Sequence, residues 1–242
     1  GYKLLKSSVL DGMYLGDSPG NFGQISFYDA ARGECYRDFG DPVGVASRVM
    51  IQGVYGILPD LMNDKLVIRP GFPSDWKKAS LATPDVTYHF SREKDTDTYQ
   101  ITQRFGKPLE IGLRIKAVRE KVASVEVNGK KADWSLVEAA SGSPELLVVA
   151  PEITIRWKGK SLQTLVVGEL NVDAGGQISL RAPQGIQLCE IYDPQGISAS
   201  TTIEGNSYST NINKGVEGHH TFFVRTRQGD MDWWQPVNVF IQ

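Results

Sequence analysis

Apolar residues along the 242-residue chain recur with two periods, and the change from one to the other falls near Lys65. Upstream, Val43, Ala46, Met50, Val54 and Ile57 stand three and four apart, with Val49 and Gly53 beside them and Arg48 and Gln52 on a more polar side. That spacing lines one face of an α-helix. Asp41 suits the N-cap, where a carboxylate accepts from orphan backbone N–H groups, and Pro42 suits the first turn, where no N–H is needed. The pattern predicts a helix over 41–57, ended by Pro59, behind a glycine-rich stretch, 1–40, read as mostly loop. Gly44, Gly53 and Gly56 each weaken a helix by about 1 kcal/mol relative to alanine, so close approach of another element is expected there.

From Lys65 onward the period is 2. Leu66-Val67-Ile68 is a short strand ended by Pro70. Val86, Tyr88 and Phe90 share a face, and the charged turn at 93–97 leads into Tyr99, Ile101, Gln103 and Phe105, the pattern of an antiparallel hairpin. Leu109, Ile111, Leu113 and Ile115 alternate with polar residues or glycine, as in a strand with one wet face. Val125-Glu126-Val127 runs into Asn128-Gly129, a strong hairpin signal, and 145–149 and 153–157 add two strands. Further runs at 164–167, 177–181, 186–192, 198–203, 207–212, 221–226 and 237–241 are separated by Ala174-Gly175-Gly176, Pro183-Gln184-Gly185 and Asp193-Pro194-Gln195-Gly196. The expected architecture is mainly β: two antiparallel β-sandwich domains, the second immunoglobulin-like, with one N-terminal α-helix. The segments are 1–60 (loop plus helix), 61–160 and 161–242.

Composition narrows the function. Twenty-six basic against 28 acidic residues give a net charge of −2, and the pI is about 6.0. Neither value offers the electrostatic footprint of a nucleic-acid or anionic-membrane binder. No apolar run approaches the roughly 20 residues of a membrane span. Cys35 and Cys189 are too far apart in sequence for a metal motif and are read as free thiols. The chain opens Gly1-Tyr2-Lys3 without an initiator methionine or a signal-peptide pattern, the form of a processed product or a fragment.

The segment Val49-Met50-Ile51-Gln52-Gly53-Val54-Tyr55-Gly56-Ile57-Leu58-Pro59-Asp60, followed by Lys65-Leu66-Val67-Ile68-Arg69-Pro70 and Trp76-Lys77-Lys78-Ala79-Ser80, resembles a junction in α-L-rhamnosidase-like and related (α/α)6-barrel glycoside hydrolases. There the last barrel helix ends in a glycine and an I-x-P-D element, and a C-terminal β-sandwich begins. The resemblance covers about residues 40–130. It implies that residues 1–60 are the tail or remnant of a helical domain, and that the chain packs on a helical catalytic domain of the same protein, acts on or near a neutral oligosaccharide or polysaccharide, and is secreted or periplasmic. The family commonly carries an Asn-His pair just before this helix, and Asp41-Pro42 stands there instead. Its general acid and base sit on barrel loops that this chain largely lacks, so the resemblance transfers no catalysis.

The residues themselves offer two kinds of sugar chemistry. In 28–41 four carboxylates, two arginines and three aromatics crowd together. Glycoside hydrolysis needs two carboxylates across the scissile bond, and here Glu34 and Asp38, with Asp29 third, are the acid/base candidates, with Tyr36, Arg37 and Asp41 as substrate contacts. The structural alternative is that Asp41 caps the helix, the other carboxylates pair with Arg32 and Arg37, and the rings pack. The second kind is an aromatic platform. Trp233 and Trp234 are adjacent, so in a strand one is core and the other exposed, and Trp76 stands in a Pro-Ser-Asp-Trp-Lys loop. Trp134 and Trp157 read as core.

His219 and His220 splay to opposite faces and do not ligate a metal together, and His89 falls on the solvent face. Asp95-Thr96-Asp97 opens like a calcium loop, but Gln100 stands where its glycine belongs. No metal site or cofactor is expected, since no nucleotide-binding or serine-nucleophile motif is present. Three functions follow: an accessory β-sandwich region, a carbohydrate-binding module, or a small glycoside hydrolase built on Glu34 and Asp38.

Overall fold

A computed structural model describes residues 2–10, 40–165 and 168–242. They fall into two compact units, one running up to Trp76 and including Gly106–Ile111, the other comprising Lys77–Phe105 and Gly112–Gln242.

In the first unit, α1 (Tyr2–Leu10) is a helix where the apolar pattern is too weak to announce one. Helix α2 (Gly40–Arg48) begins one residue ahead of the expected cap. The α-register is then lost sooner than the periodicity implies: Val49–Val54 forms a π-helical turn, with the Tyr55 N–H donating to the Met50 carbonyl five residues back at 3.1 Å. Gly56, at φ +68°, turns the chain out of the helix, and a Cβ there would lie 1.9 Å from the Arg69 carbonyl oxygen. Close approach therefore does demand glycine at 56, but among the described residues nothing stands within 4 Å of where a Cβ on Gly44 would lie. Ile57 opens β1 (Ile57–Asp60), which pairs antiparallel with β2 (Lys65–Ile68). Pro59 lies inside β1 rather than ending a helix.

The second unit begins with β3 (Lys78–Ala82), β4 (Val86–Glu93) and β5 (Thr96–Gln103). Strand β6 (Glu110–Lys116) enters from the first unit, and β7 (Arg119–Val127), β8 (Lys130–Lys131), β9 (Ser135–Leu136), β10 (Glu145–Val149) and β11 (Glu152–Ser161) follow. One sheet has the order β3-β4-β5-β11-β7-β8, and β10 lies between β6 and β9. The alternation is the one the sequence dictates: Val86, Tyr88, Phe90, Tyr99, Ile101, Ile153 and Ile155 from the first sheet and Leu113, Ile115, Leu146 and Val148 from the other strands are buried. Asn128 and Gly129 take φ +50° and +74° and join β7 to β8, the two positive angles that this turn requires.

Asp97 departs from its sequence pattern. It is fully buried, and Arg92 on the paired strand grips it with two bonds, Nε to Oδ1 at 2.6 Å and Nη2 to Oδ2 at 2.7 Å. Trp157 Nε1 donates to Oδ2 at 3.0 Å. The hydrogen bond to Asp97 raises the Arg92 pKa, while burial, reinforced by the Asp97 charge, pushes the Tyr99 phenol well above its usual range. The residue that opens like a calcium ligand is thus the anion of an interior ion pair.

The second sandwich holds β12 (Glu169–Val172), β13 (Gln177–Arg181), β14 (Gln187–Tyr192), β15 (Ser198–Glu204), β16 (Ser207–Ile212), β17 (Gly218–Gln228) and β18 (Met231–Ile241). A four-stranded sheet, β12-β18-β17-β14, faces a three-stranded one, β13-β16-β15. This is the immunoglobulin arrangement in which the first strand has moved beside the last, pairing parallel to it. Ile178, Leu188, Ile197, Tyr208, Phe222, Val224, Val237 and Val239 form the core between the sheets. Of the strand expected at 164–167, Val166 and Val167 lie outside the described residues, and the strand of this region is β12.

The turn of the β17–β18 hairpin joins the two sandwiches. The Asp230 N–H donates to the Glu120 carbonyl at 2.8 Å, and a Cβ on Gly229, at φ +59°, would lie 2.4 Å from that same oxygen. The Gln228 amide donates to Ser161 O at 3.0 Å and to Glu120 Oε2 at 3.3 Å, and accepts from Gln163 N–H at 3.0 Å. The Lys160 backbone N–H and then Gln228 hold the Glu120 carboxyl below the usual range. Its contribution to the joint is therefore present at neutral pH and is lost as pH falls through that lowered value.

Candidate functional site

Strands β17 and β18 are 11 residues each and pair along their whole length, Gly218↔Ile241 through Gln228↔Met231. Alternation sends Phe222, Val224, Met231, Trp233, Val237 and Val239 inward. The residues between them face out, and register, not sequence proximity, brings them together. Trp234 lies opposite Arg225, which lies opposite Glu190. In the next row Pro236 lies opposite Phe223, which lies opposite Tyr192. The ring centroids of Tyr192 and Phe223 are 6.2 Å apart, and those of Tyr192 and Trp234 are 6.3 Å apart. Tyr192 is 57% exposed, and Phe223 and Trp234 are half-buried. A bulge at Cys189, an exposed free thiol, sets the outward register of Glu190 and Tyr192.

The polar groups around the rings are already paired in charge. Arg225 Nε donates to Asp232 Oδ1 at 2.8 Å and Nη1 to Glu190 Oε2 at 3.4 Å, and Asp232 foremost raises the guanidinium pKa. Toward the far end of the strands, Thr221 Oγ1 donates to Asn238 Oδ1 at 2.9 Å, the Thr221 N–H donates to Gln195 Oε1 at 2.8 Å, and His219 Nδ1 meets Glu169 Oε1 at 2.8 Å. These residues and Phe223 line an open groove of about 390 Å³. The face thus combines apolar rings with hydroxyl, amide and balanced ionic groups.

Trp233 and Trp234 divide as strand alternation demands: Trp233 is 2% exposed and belongs to the core. Trp76 is not a bare platform, since Phe72 stacks on it at 5.7 Å and Tyr2 meets it edge-on at 5.3 Å. Trp157 is buried and Trp134 half-buried. Glu34, Asp38, Asp29, Tyr36, Arg37 and Cys35 lie outside the described residues, and Asp41 falls in the first turn of α2. His89 is exposed. His219 and His220 point to opposite sides of β17, and among the described residues no three His, Cys, Asp or Glu side chains come together as metal ligands. Tyr192 and Phe223 had no sequence signal beyond outward parity on strands whose partners lie far away in the chain. Among the described residues no helix is long and apolar enough to cross a membrane.

No protein-family model and no curated protein matches the chain. Among solved structures, it is similar to the Bacteroides ovatus mixed-linkage glucan utilization locus protein SGBP-B in complex with a mixed-linkage heptasaccharide, at 11% identity and a TM-score of 0.25 over 69% of this chain. The match spans 64% of the length of that protein. A titin fragment aligns at 15% identity and TM-score 0.24, covering 61% of this chain and 89% of its own, and domains 4 and 5 of the S-layer protein SbsC at 12% and 0.20, covering 70% and 89%. Scores this low do not establish a common architecture, and the fold assignment stands on the strand order described above.

Proposed function

We propose that the chain is a non-catalytic accessory β-sandwich region of a carbohydrate-active protein, and that the outer face of its four-stranded sheet holds a neutral oligosaccharide. The observation that carries this reading is the outward-facing aromatic set Tyr192, Phe223 and Trp234 on one sheet face, bordered by an ionic cluster in which Arg225 and Arg227 meet Asp232 and Glu190. A sugar ring presents an apolar C–H face and a rim of hydroxyls. Aromatic rings desolvate the first at little entropic cost, and fixed polar groups orient the second. A balanced face suits an uncharged glycan, and a secreted or periplasmic setting would bring it to one. The resemblance of about residues 40–130 to a glycoside-hydrolase junction is the support for the wider protein's chemistry. Titration calorimetry against neutral hexasaccharides with glucose, xylose, mannose and galactose backbones should find a ligand that the Trp234→Ala chain binds about tenfold more weakly, or roughly 1.4 kcal/mol. A flat titration across the panel, or unchanged affinity in the variant, excludes this face as the site.

A second observation favours docking on a helical domain. Of the ten large hydrophobic residues that stand exposed among those described, eight lie between Leu4 and Met62: Leu4, Leu10, Val45, Val49, Met50, Leu58, Leu61 and Met62. Concentrated apolar exposure marks an interaction surface, and the apolar side of α2 and its π-helical extension is the natural place for another helix. The chain should accordingly bind a hydrophobic dye such as ANS, and Val45→Glu with Met50→Glu should remove most of the signal. A chain that binds no dye in its folded state argues against a docking surface.

A further inference from the structure

We infer that the binding face does not end with the second sandwich: the loop at residues 140–142 of the first sandwich completes it, with Ser141 as a ligand-contacting position beside Trp234. This rests on the reading of the aromatic face as a glycan site.

Strand β12 pairs with β18 only over Asn238–Ile241, which among the described residues leaves the other half of β18 without a strand on that side. The loop at 140–142 takes the place. The Trp234 N–H donates to the Ala140 carbonyl at 2.9 Å, and the Gly142 N–H donates to the Trp234 carbonyl at 2.8 Å, so the two bonds bracket Ser141 as the parallel-bridge partner of Trp234. Residues paired across a bridge project to the same face. Ser141 is exposed, and its hydroxyl therefore stands on the aromatic side. One cross-strand row runs Ser141, Trp234, Arg225, Glu190, drawn from both sandwiches.

The same bonds fix the indole. Both backbone groups of Trp234 turn toward the loop, so its pairing with Arg225 is the non-hydrogen-bonded kind, in which facing side chains come closest. Arg225, held by Asp232 and Glu190, walls one side of the ring. Ser141 flanks the other. A sugar stacked on Trp234 then has a hydroxyl partner from each sandwich, and the hydrogen-bonded joint at Glu120 and Gln228 keeps the two in register.

Ser141 is exposed, and among the described residues its side chain makes no fold-determining contact, so its variants should unfold like the parent. With the hexasaccharide that binds best, Ser141→Ala should weaken affinity about threefold to fivefold. Ser141→Arg, which puts a long side chain across the row, should weaken it tenfold or more. If both variants bind as the parent does while Trp234→Ala loses binding, the face remains and the contribution of the first sandwich is refuted. If Trp234→Ala also binds normally, or no hexasaccharide binds, the face itself is wrong and the inference falls with it.

Discussion

Replacing Asp97 with alanine is expected to destabilise the second unit by about 3–5 kcal/mol, the cost of stripping one partner from a buried ion pair. Three donors converge on this carboxylate, two from Arg92 and one from Trp157. Alanine removes the acceptor of all three bonds and the charge that offsets the guanidinium. Asp97→Asn keeps an acceptor and removes the charge, so it should fall between alanine and the parent. A control lies two residues away. Asp95, in the turn of the same hairpin, pairs with Arg119 of β7, but both side chains are partly exposed, and screened surface pairs contribute roughly 0–1 kcal/mol. Urea denaturation should therefore rank Asp97→Ala far below Asp95→Ala. Equal midpoints would show that burial is not what gives the Arg92 pair its weight.

Trp233→Ala should cost about 3–5 kcal/mol, as a large buried aromatic leaves a cavity that its neighbours close only in part. The next residue should behave oppositely. Trp234 projects to the outer face, so Trp234→Ala should change stability by no more than about 1 kcal/mol while weakening glycan binding about tenfold. The contrast between adjacent tryptophans separates core from site more sharply than either variant alone. Thermal denaturation of the pair, read beside calorimetry, would reject the assignment if Trp234→Ala unfolded as early as Trp233→Ala.

Where the local signal was strong, the fold could be read before the structure. Period-2 alternation located most strands, the Asn128-Gly129 turn adopted the angles its residues favour, and the tryptophan pair split across the sheet. Elements set by distant contacts could not be read. The helical period runs on to Ile57, but the chain leaves the helix at Gly56 because the backbone at Arg69 presses against it. Asp97 reads as a turn carboxylate because its partners are Arg92 across the hairpin and Trp157 sixty residues on. The candidate face is the clearest case. Tyr192, Phe223 and Trp234 sit on three strands, and Ser141 in another sandwich, so only strand register assembles them. The acid/base candidates Asp29, Glu34 and Asp38 lie outside the described residues, and they remain a reading of sequence alone.

The five tryptophans provide the most direct test of the glycan face, because each indole N–H gives its own cross-peak in a nitrogen-15 correlation spectrum. Titrating the labelled chain with the hexasaccharide that binds in calorimetry should shift the Trp234 indole progressively while Trp157 and Trp233, in the interior, stay in place. Saturation with Trp234 unmoved, or a shift confined to Trp76, would place the ligand elsewhere and contradict the account.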